Sequence, residues 1–275
     1  MKKVLLSFDI EEFDLPKEHG VSISLENGLK VSEEGLIRIL EVLDDVGVKA
    51  TFFITGNFAK GKSELVQEIK KGGHEIACHG VDHFKPAKSD IFESKKIVEK
   101  VAGTKVTGYR QPRMFEISYE ELKRCGYKYD SSVNPAFIPG RYNHLDMPRN
   151  LFIKEGVVEV PTSVAGFMRV PLFWLALHLM PMNVYVKFAK MAIKKTGYFA
   201  TYFHPWEFAE VLKDYNAVPA YIKRNSGKKL AARLERLITV LAQNGCEFVT
   251  YDEYVSEWYN KNIGEHGKDE KGKEG

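Results

Sequence analysis

Residues 4–12 read VLLSFDIEE, an apolar run that ends abruptly at carboxylates. Val4 to Phe8 has the nearly continuous apolar character of a strand that is buried on both faces, as strands of parallel sheets are. Residues 32–46 follow with a helical apolar pattern, and residues 49–54 predict a second strand. The order strand, helix, strand is the βαβ unit of an α/β fold.

The alternation of strands and helices continues along the chain. Further helices are predicted over residues 63–71, 89–101, 118–126 and 230–242 and from residue 252 onward, and further strands over residues 75–77, 105–109, 128–129, 157–160, 199–203 and 247–250. This pattern suits a TIM-like (β/α) barrel of about seven strands, and a doubly wound open sheet is the alternative. We expect a single domain over residues 1–263. Residues 264–275 offer no large apolar side chain, so we expect a disordered tail there.

The composition and charge of the chain restrict its partners. Of its 275 residues, 44% are hydrophobic, which is enough for a buried core. Lys and Arg number 40 against 37 Asp and Glu, and the formal net charge of +3 offers no footprint for nucleic acid. We therefore expect no nucleic-acid partner.

Cysteine usage and the first residues predict a cytoplasmic protein. Cys78, Cys125 and Cys246 are an odd number of cysteines without C-x-x-C spacing, which favours a reducing compartment. The apolar run after Lys2 and Lys3 is too short for the apolar region of a signal peptide.

Chemistry-bearing side chains directly follow the predicted strands. They are Asp9, Glu11, His79, His83, Arg110, Asp130, Pro161, Thr162 and His204. The carboxyl ends of barrel strands converge on one face, where barrel enzymes carry their active sites. We therefore expect these scattered residues to form one site.

His79 and His83 are four residues apart, and in a helical turn both imidazoles would reach one metal ion. The pair is not part of an H-E-x-x-H motif, because Gly80 stands at the position of the glutamate. A third, hard ligand must come from elsewhere, and the carboxylates of residues 9–14 can supply it. The alternatives are a polar loop or satisfied core histidines for the pair, and an acidic loop for the carboxylates.

Five motifs stand in order between residue 4 and about residue 208. They are Ser7-Phe8-Asp9-x-Glu11, Ala50-Thr51-Phe52-Phe53, Gly73-His74-Glu75-Ile76-x-x-His79-x-x-x-His83, Gly108-Tyr109-Arg110-x-Pro112 and Phe203-His204-Pro205. Together they resemble the motifs of the polysaccharide deacetylase family, the NodB-like carbohydrate esterases. The resemblance implies a distorted (β/α) barrel, a divalent metal ion and hydrolysis of an N-acyl group, usually N-acetyl, on an amino sugar.

The first motif departs from the family pattern. Most members have two adjacent aspartates, a base followed by a metal ligand, whereas Ile10 separates Asp9 from Glu11 here. The spaced pair is similar to a subgroup with cytoplasmic peptidoglycan-deacetylase-like, allantoinase-like and lipid-linked-sugar deformylase-like members. This leaves two substrate classes open: an amino sugar of a glycan or cell-wall precursor, and a non-sugar C–N amide bond as in allantoinase-like relatives.

By position in the motifs, the resemblance implies that Asp9 is the catalytic base and that Glu11, His79 and His83 hold the metal. Glu12 or Asp14 is the alternative ligand. Two imidazoles and one carboxylate favour zinc, although cobalt, nickel, manganese or iron also accept such ligands. An ion held in this way polarises an amide carbonyl and lowers the pKa of bound water towards about 7.

General chemistry, independently of the resemblance, suggests the remaining roles. We expect His204 to protonate the leaving amine as the general acid. We expect Arg110 to pair bidentately with Asp9, and Asp130 to orient His204 in the same way. The expected substrate-binding residues are Tyr109, Pro112, Arg141, Tyr142 and Trp206.

Residues 167–182 hold a cluster of large apolar side chains. The cluster is either core or a surface beside the mouth of the site, where Lys187, Lys190, Lys194 and Lys195 would suit a membrane. In the second case the substrate is a lipid-linked sugar, and the protein lies at the inner membrane surface. A fully buried cluster would exclude this hypothesis.

Residues 56–63 read GNFAKGKS and match the phosphate-binding pattern G-x-x-x-x-G-K-[ST] between a predicted strand and a predicted helix. A P-loop fold ordinarily supplies its magnesium-binding aspartate from a later strand, whereas the strand with terminal carboxylates comes first here. This order does not suit a P-loop fold. The motif nevertheless leaves one alternative function open, a nucleotide-binding or metal-binding module without deacylase activity. The alternative interpretation of the segment is a turn that leads into a helix.

Overall fold

The computed structural model describes residues 2–262. Its strands are β1 (Lys2–Ile10), β2 (Thr51–Ile54), β3 (Glu75–Cys78), β4 (Gly108–Tyr109), β5 (Tyr129–Asp130), β6 (Phe137–Ile138), β7 (Tyr142–Asn143), β8 (Phe152–Lys154), β9 (Val157–Glu159), β10 (Val164–Ala165), β11 (Val170–Pro171), β12 (Tyr198–Phe203) and β13 (Cys246–Phe248). Its α-helices are α1 (Leu15–Glu18), α2 (Leu25–Val46), α3 (Gly56–Gly61), α4 (Ser63–Lys71), α5 (Asp90–Ala102), α6 (Tyr119–Arg124), α7 (Trp174–Leu179), α8 (Met182–Thr196), α9 (Ala220–Lys223), α10 (Lys228–Gln243) and α11 (Tyr251–Asn262). Short 3-10 turns lie at Pro112–Met114, Pro205–Phe208 and Glu210–Asp214.

Parallel strands form a curled sheet in the order β12, β1, β2, β3, β4, β5 and β9. β8 extends this sheet as an antiparallel edge strand, and β13 pairs with the first residues of β1. The segment after β9 reaches β12, because the Ser163 N–H donates to the Ala200 carbonyl and the Ala200 N–H donates to Ser163 Oγ, each at 2.9 Å. The prediction of a distorted (β/α) barrel of about seven strands is confirmed.

The side chains of β1 alternate between two core clusters, as successive side chains of a strand point to opposite faces. Leu6 and Phe8 are buried in the cluster that contains Leu36 of α2. Leu5 belongs to a second cluster, inside the barrel, with Phe53 of β2. The odd-numbered residues of β1 therefore face the barrel interior.

Helix α2 begins earlier than its apolar pattern predicts. The pattern indicated residues 32–46, whereas the helix starts at Leu25, where Ser24 Oγ accepts a hydrogen bond from the Asn27 N–H at 3.2 Å. Its first three residues, Leu25 to Asn27, are exposed, so hydrophobic periodicity does not reveal where the helix starts. Its N-cap serine is the local signal that marks the start.

The segment of residues 56–63 is not a phosphate-binding loop. Gly56–Gly61 form helix α3, which Thr55 caps through its side chain. The first two N–H groups of α3 donate to backbone carbonyls of the loop after β3 at 2.9 and 3.0 Å, so they are not free to bind a phosphate. Lys62 pairs with Glu33. This geometry gives no support to the nucleotide-binding alternative.

The apolar cluster of residues 167–182 divides between core and surface. Leu172 and Leu177 are fully buried, whereas Phe167 and Met168 are exposed. The cluster is therefore neither wholly core nor wholly surface. Among residues 2–262 there is no helix that combines the length and the apolar character required to cross a membrane.

Candidate active site

Strand β1 delivers two carboxylates to the barrel interior at its C-terminal end. Asp9 and Glu11 are two residues apart, so both side chains point to the same face, and each residue is 2% exposed. Ile10, between them, is buried in the cluster on the opposite face. The spacing Asp-x-Glu therefore places both carboxylates in one site.

His79 directly follows β3, and His83 returns to the same place through a loop. The expected helical turn is wrong, because residues 79–83 form no helix and Gly80 has a φ of +67°. A Cβ atom at Gly80 would lie 2.8 Å from Pro112 Cγ, so this turn requires glycine. The two imidazole rings nevertheless stack, with centroids 5.6 Å apart and planes inclined by 27°.

Glu11, His79 and His83 form a candidate metal centre. Glu11 Oε2 lies 2.9 Å from His83 Nε2 and 3.5 Å from His79 Nε2, and one ligand atom of each residue lies within 4.8 Å of the others. His79 Nε2 is buried and has no hydrogen-bond partner among residues 2–262, and the buried Glu11 Oε2, although close to His83 Nε2, makes no hydrogen bond of acceptable geometry there. Buried polar atoms without partners are rare, so these converging atoms fit a divalent cation.

Hydrogen bonds at both Nδ1 atoms leave the Nε2 atoms free to bind a metal. His79 Nδ1 donates to the Arg110 carbonyl at 2.9 Å, and His83 Nδ1 lies 2.8 Å from Asp14 Oδ2. Such contacts fix the tautomer and orientation of a metal-binding imidazole. Asp14 thus contacts the side of His83 that faces away from Glu11.

Mutual attraction keeps Glu11 ionised and His83 basic. Burial alone would raise the pKa of Glu11, but the imidazoles of His83 and His204 outweigh it and hold this pKa well below its usual value. Burial alone would lower the pKa of His83, but Glu11 and Asp14 outweigh it and raise this pKa well above its usual value. Trp206 Nε1 donates to Glu11 Oε1 at 3.0 Å and fixes the carboxylate. Glu11 therefore presents an ionised and oriented carboxylate to the site.

Arg110 is fully buried and forms an ion pair with Asp9. Its Nη1 atom donates to Asp9 Oδ1 and to Ser7 Oγ. Its Nη2 atom donates to Ser131 Oγ and to the Tyr251 hydroxyl. The predicted bidentate pairing is therefore wrong, because these hydroxyls bind the other half of the guanidinium. Asp9 Oδ2 lies 3.9 Å from an imidazole of the candidate metal centre.

His204 follows β12 and is held by Glu207. His204 Nδ1 lies 2.8 Å from Glu207 Oε1, and Glu207 Oε2 lies 2.7 Å from Nε2 of the buried His178. Burial alone would lower the pKa of His204, but the surrounding carboxylates outweigh it and raise this pKa. Sequence reasoning missed Glu207 and His178. The signal for Glu207 is the His-Pro-x-Glu spacing, in which the glutamate of a first turn bonds back to the capping residue.

Asp130 forms its side-chain hydrogen bonds with Ser132 and not with His204, so the predicted pairing of these residues is wrong. Asp130 Oδ1 accepts a hydrogen bond from the Ser132 hydroxyl at 2.8 Å, and Oδ2 accepts one from the Ser132 N–H at 3.1 Å. The partner of Asp130 across the sheet is Glu159 in β9. Glu207 is the carboxylate that His204 meets, because both belong to the same turn.

The site opens into a cavity of about 300 Å³. Three of the predicted substrate-binding residues line it: Arg141, Tyr142 and Trp206. Sequence reasoning missed Arg113 and Trp174, which also line it. Charged and polar side chains make up half of its lining residues, and aromatic and aliphatic side chains make up the rest.

Tyr109 and Pro112 do not line the cavity, so their assignment to substrate binding is wrong. Tyr109 is fully buried in the cluster outside the barrel and donates its hydroxyl to Gln111 Oε1 at 3.0 Å. Pro112 is buried against Gly80. Neighbouring residues of an extended chain point to opposite faces, so Arg110 reaches the barrel interior and Tyr109 does not.

Two family models match the chain. Residues 14–129 match the polysaccharide deacetylase model, and residues 131–256 match a domain of unknown function (DUF3473). Strands of both segments belong to the same sheet. The single domain over residues 1–263 stays a prediction, and the predicted tail over residues 264–275 lies outside the described residues.

The chain is similar to other proteins in sequence and in structure. It is 30% identical over 118 residues to the peptidoglycan deacetylase of Helicobacter pylori, and the alignment covers 40% of each protein. A crystal structure assigned as a polysaccharide deacetylase from Mycobacterium smegmatis matches with a TM-score of 0.62 and 19% identity over 93% of this chain and 90% of that one. The structure of an allantoinase matches with a TM-score of 0.63 and 13% identity over 94% and 91% of the two chains. Both structural likenesses show the fold alone.

Proposed function

Residues 14–129 match the polysaccharide deacetylase model, and we propose that the chain removes an N-acyl group, in the first place acetyl, from an amino sugar of a glycan with the help of a divalent metal ion. One observation carries the proposal: three candidate metal ligands, a candidate base and a candidate acid converge on one cavity. They are Glu11, His79, His83, Asp9 and His204. The reaction adds water across the amide bond and yields a free amine and a carboxylic acid.

Glu11, His79 and His83 would hold the metal. Two imidazoles and one carboxylate favour zinc, and cobalt, nickel, manganese or iron accept the same donor set. When bound, the cation would supply Lewis acidity to the amide carbonyl and to the attacking water. The unpartnered atoms of Glu11 and His79 support this assignment.

We assign Asp9 as the general base. The Arg110 guanidinium holds one of its oxygens, and Asp9 in turn outweighs the effect of burial and raises the pKa of Arg110. This ion pair orients the carboxylate in a buried place. The other oxygen, Oδ2, is then available to accept a proton from water in the cavity.

We assign His204 as the general acid. Its Nδ1 is bound to Glu207, so Nε2 is the atom that can donate a proton into the cavity. The leaving amine must gain a proton as the C–N bond breaks. Trp206 stacks on the His204 ring, with centroids 5.0 Å apart and planes inclined by 16°, and fixes its orientation.

The test is release of acetate by the zinc-loaded full-length protein from N-acetylglucosamine oligomers and from peptidoglycan, with allantoin as the competing substrate. We expect acetate and a matching amount of free amine from at least one glycan, and no reaction with allantoin. Ring opening of allantoin without acetate release would mean that the site hydrolyses non-sugar C–N bonds. The cytoplasmic location stays a prediction.

A lipid-linked amino sugar is the second candidate substrate. It is favoured by one observation, the exposure of Phe167 and Met168 on the surface of the protein. A lipid-linked N-acetylamino sugar, tested as a substrate in the same assay, distinguishes the two candidates by the rate of acetate release. Faster acetate release from the lipid-linked sugar than from the soluble oligomers would favour it.

Replacing Glu207 with glutamine is expected to move the alkaline limb of the kcat/KM pH profile to lower pH. The Glu207 charge helps to raise the pKa of His204, so its loss lowers that pKa. A general acid must be protonated, and activity falls as pH rises through its pKa, so the limb moves down. The measurement is the pH profile of acetate release, with Glu235→Gln on an exposed position of α10 as the control. An unshifted limb would contradict the positioning role of Glu207.

A further inference from the structure

The hairpin of β10 and β11 carries two large apolar side chains into solvent. Phe167 is 97% exposed and Met168 is 84% exposed. The other large apolar residues that are exposed among residues 2–262 reach at most 54%. Exposure of this kind is costly in water and marks an interaction surface when other features agree.

Two arginines hold this hairpin in place. Arg149 donates from Nη1 to the Gly166 carbonyl at 2.8 Å and from Nη2 to the Phe167 carbonyl at 3.2 Å. Arg169 donates from Nη1 to the Met147 carbonyl at 2.7 Å. Gly166 and Arg169 have positive φ values of 66° and 52°, so the backbone turns sharply on both sides of the apolar pair. The tip is thus presented by a braced turn.

A basic helix face adjoins the tip. The exposed residues of α8 include Lys187, Lys190, Lys194 and Lys195. Met191, 41% exposed, connects the two features, because it lines one surface depression with Phe167 and Lys195 and a second with the other three lysines. The apolar tip and the lysine face are therefore one continuous surface.

The charged side chains of this surface are basic. The residues that line the two depressions include Arg149, Lys195 and the three other lysines of α8 but no Asp or Glu. None of the residues of the surface lines the cavity of the candidate active site. The surface is therefore separate from the cavity.

We propose that the Phe167–Met168 tip and the lysine face of α8 dock the protein on an anionic lipid bilayer. Apolar side chains that enter the headgroup region, next to lysines that face anionic lipids, are how peripheral proteins bind membranes. A lipid surface is favoured over a protein partner because the lysines are spread along a whole helix face without a carboxylate among them.

The test is sedimentation of the full-length protein with vesicles, one set of phosphatidylglycerol and phosphatidylcholine and one set of phosphatidylcholine alone. We expect the wild type to bind the anionic vesicles and to be released by high salt. Phe167→Ser/Met168→Ser and Lys187→Gln/Lys190→Gln/Lys194→Gln should each lower the bound fraction about tenfold or more. Both variants should keep the wild-type rate on a soluble substrate, because neither touches the cavity.

A matched control lies on α5. Phe92 is 54% exposed there, and Lys96 and Lys100 are exposed on the same helix. Phe92→Ser with Lys96→Gln/Lys100→Gln should bind anionic vesicles like the wild type. Absence of wild-type binding, or equal binding by the tip variant, would overturn the proposal. Loss of self-association in the tip variant without vesicle binding by the wild type would assign the surface to a second copy of the chain and would also overturn it.

Discussion

A protein in which His79 and His83 are both replaced with alanine is expected to lose its tightly bound divalent metal. Two of the three candidate ligands are removed, and Glu11 alone cannot hold the cation at the bottom of the cavity. We expect the affinity for zinc to fall by more than about 100-fold, since loss of an outer partner alone costs 10- to 100-fold. The measurement is metal content by mass spectrometry after dialysis, together with zinc titration of the metal-free protein.

His19→Ala is the matched control for this variant. His19 lines the same cavity but does not belong to the metal centre. The control should bind zinc like the wild type. Equal zinc affinity of the double variant and the wild type would contradict the assignment of the centre.

Replacing Asp9 with asparagine is expected to lower kcat by about 100- to 10,000-fold while leaving the metal in place. The amide can still accept the Arg110 hydrogen bond, but it cannot take a proton from water. Zinc should remain, because the candidate ligands are Glu11, His79 and His83 and not Asp9. The measurement is the initial rate of acetate release by the zinc-loaded variant, with its zinc content determined in the same sample.

Two results would contradict this role of Asp9. An unchanged kcat would mean that another group accepts the proton. Loss of zinc together with loss of rate would mean that Asp9 is a ligand and that the departure in the first motif exchanges the roles of Asp9 and Glu11. Because the Arg110 charge is buried beside Asp9, thermal unfolding of the variant should be measured as well.

The convergence of the site could be predicted from the ends of strands. An apolar run that stops at Asp9 and Glu11, and further runs that stop at His79 and His204, place polar side chains at one end of a parallel barrel. The two-residue period of a strand also explains why the carboxylates are separated by Ile10.

The contacts and turns that orient the site residues could not be predicted in the same way. His178 meets Glu207 across 29 residues of chain, and this contact depends on how α7 packs against the turn after β12. Tyr109 shows a different limit: it stands next to Arg110 in the motif, but adjacent residues of a strand face opposite sides. Gly80 allows the histidines to meet through a left-handed turn that helical spacing does not describe.

The surface of the molecule was the least predictable part. The apolar residues 167–182 look alike in sequence, but Leu172 and Leu177 pack in the core while Phe167 and Met168 point into solvent. Composition alone cannot separate them, because the difference arises from the hairpin that Arg149 braces.

The most direct test of the proposed metal-dependent deacetylation is titration of the metal-free, full-length protein with zinc while acetate release from an N-acetylglucosamine oligomer is followed. The rate is expected to rise with bound zinc, to saturate at one zinc per chain and to return to baseline with a chelator. Full acetate release by the metal-free protein, or none by the zinc-loaded protein from any N-acetylated glycan, would contradict the account.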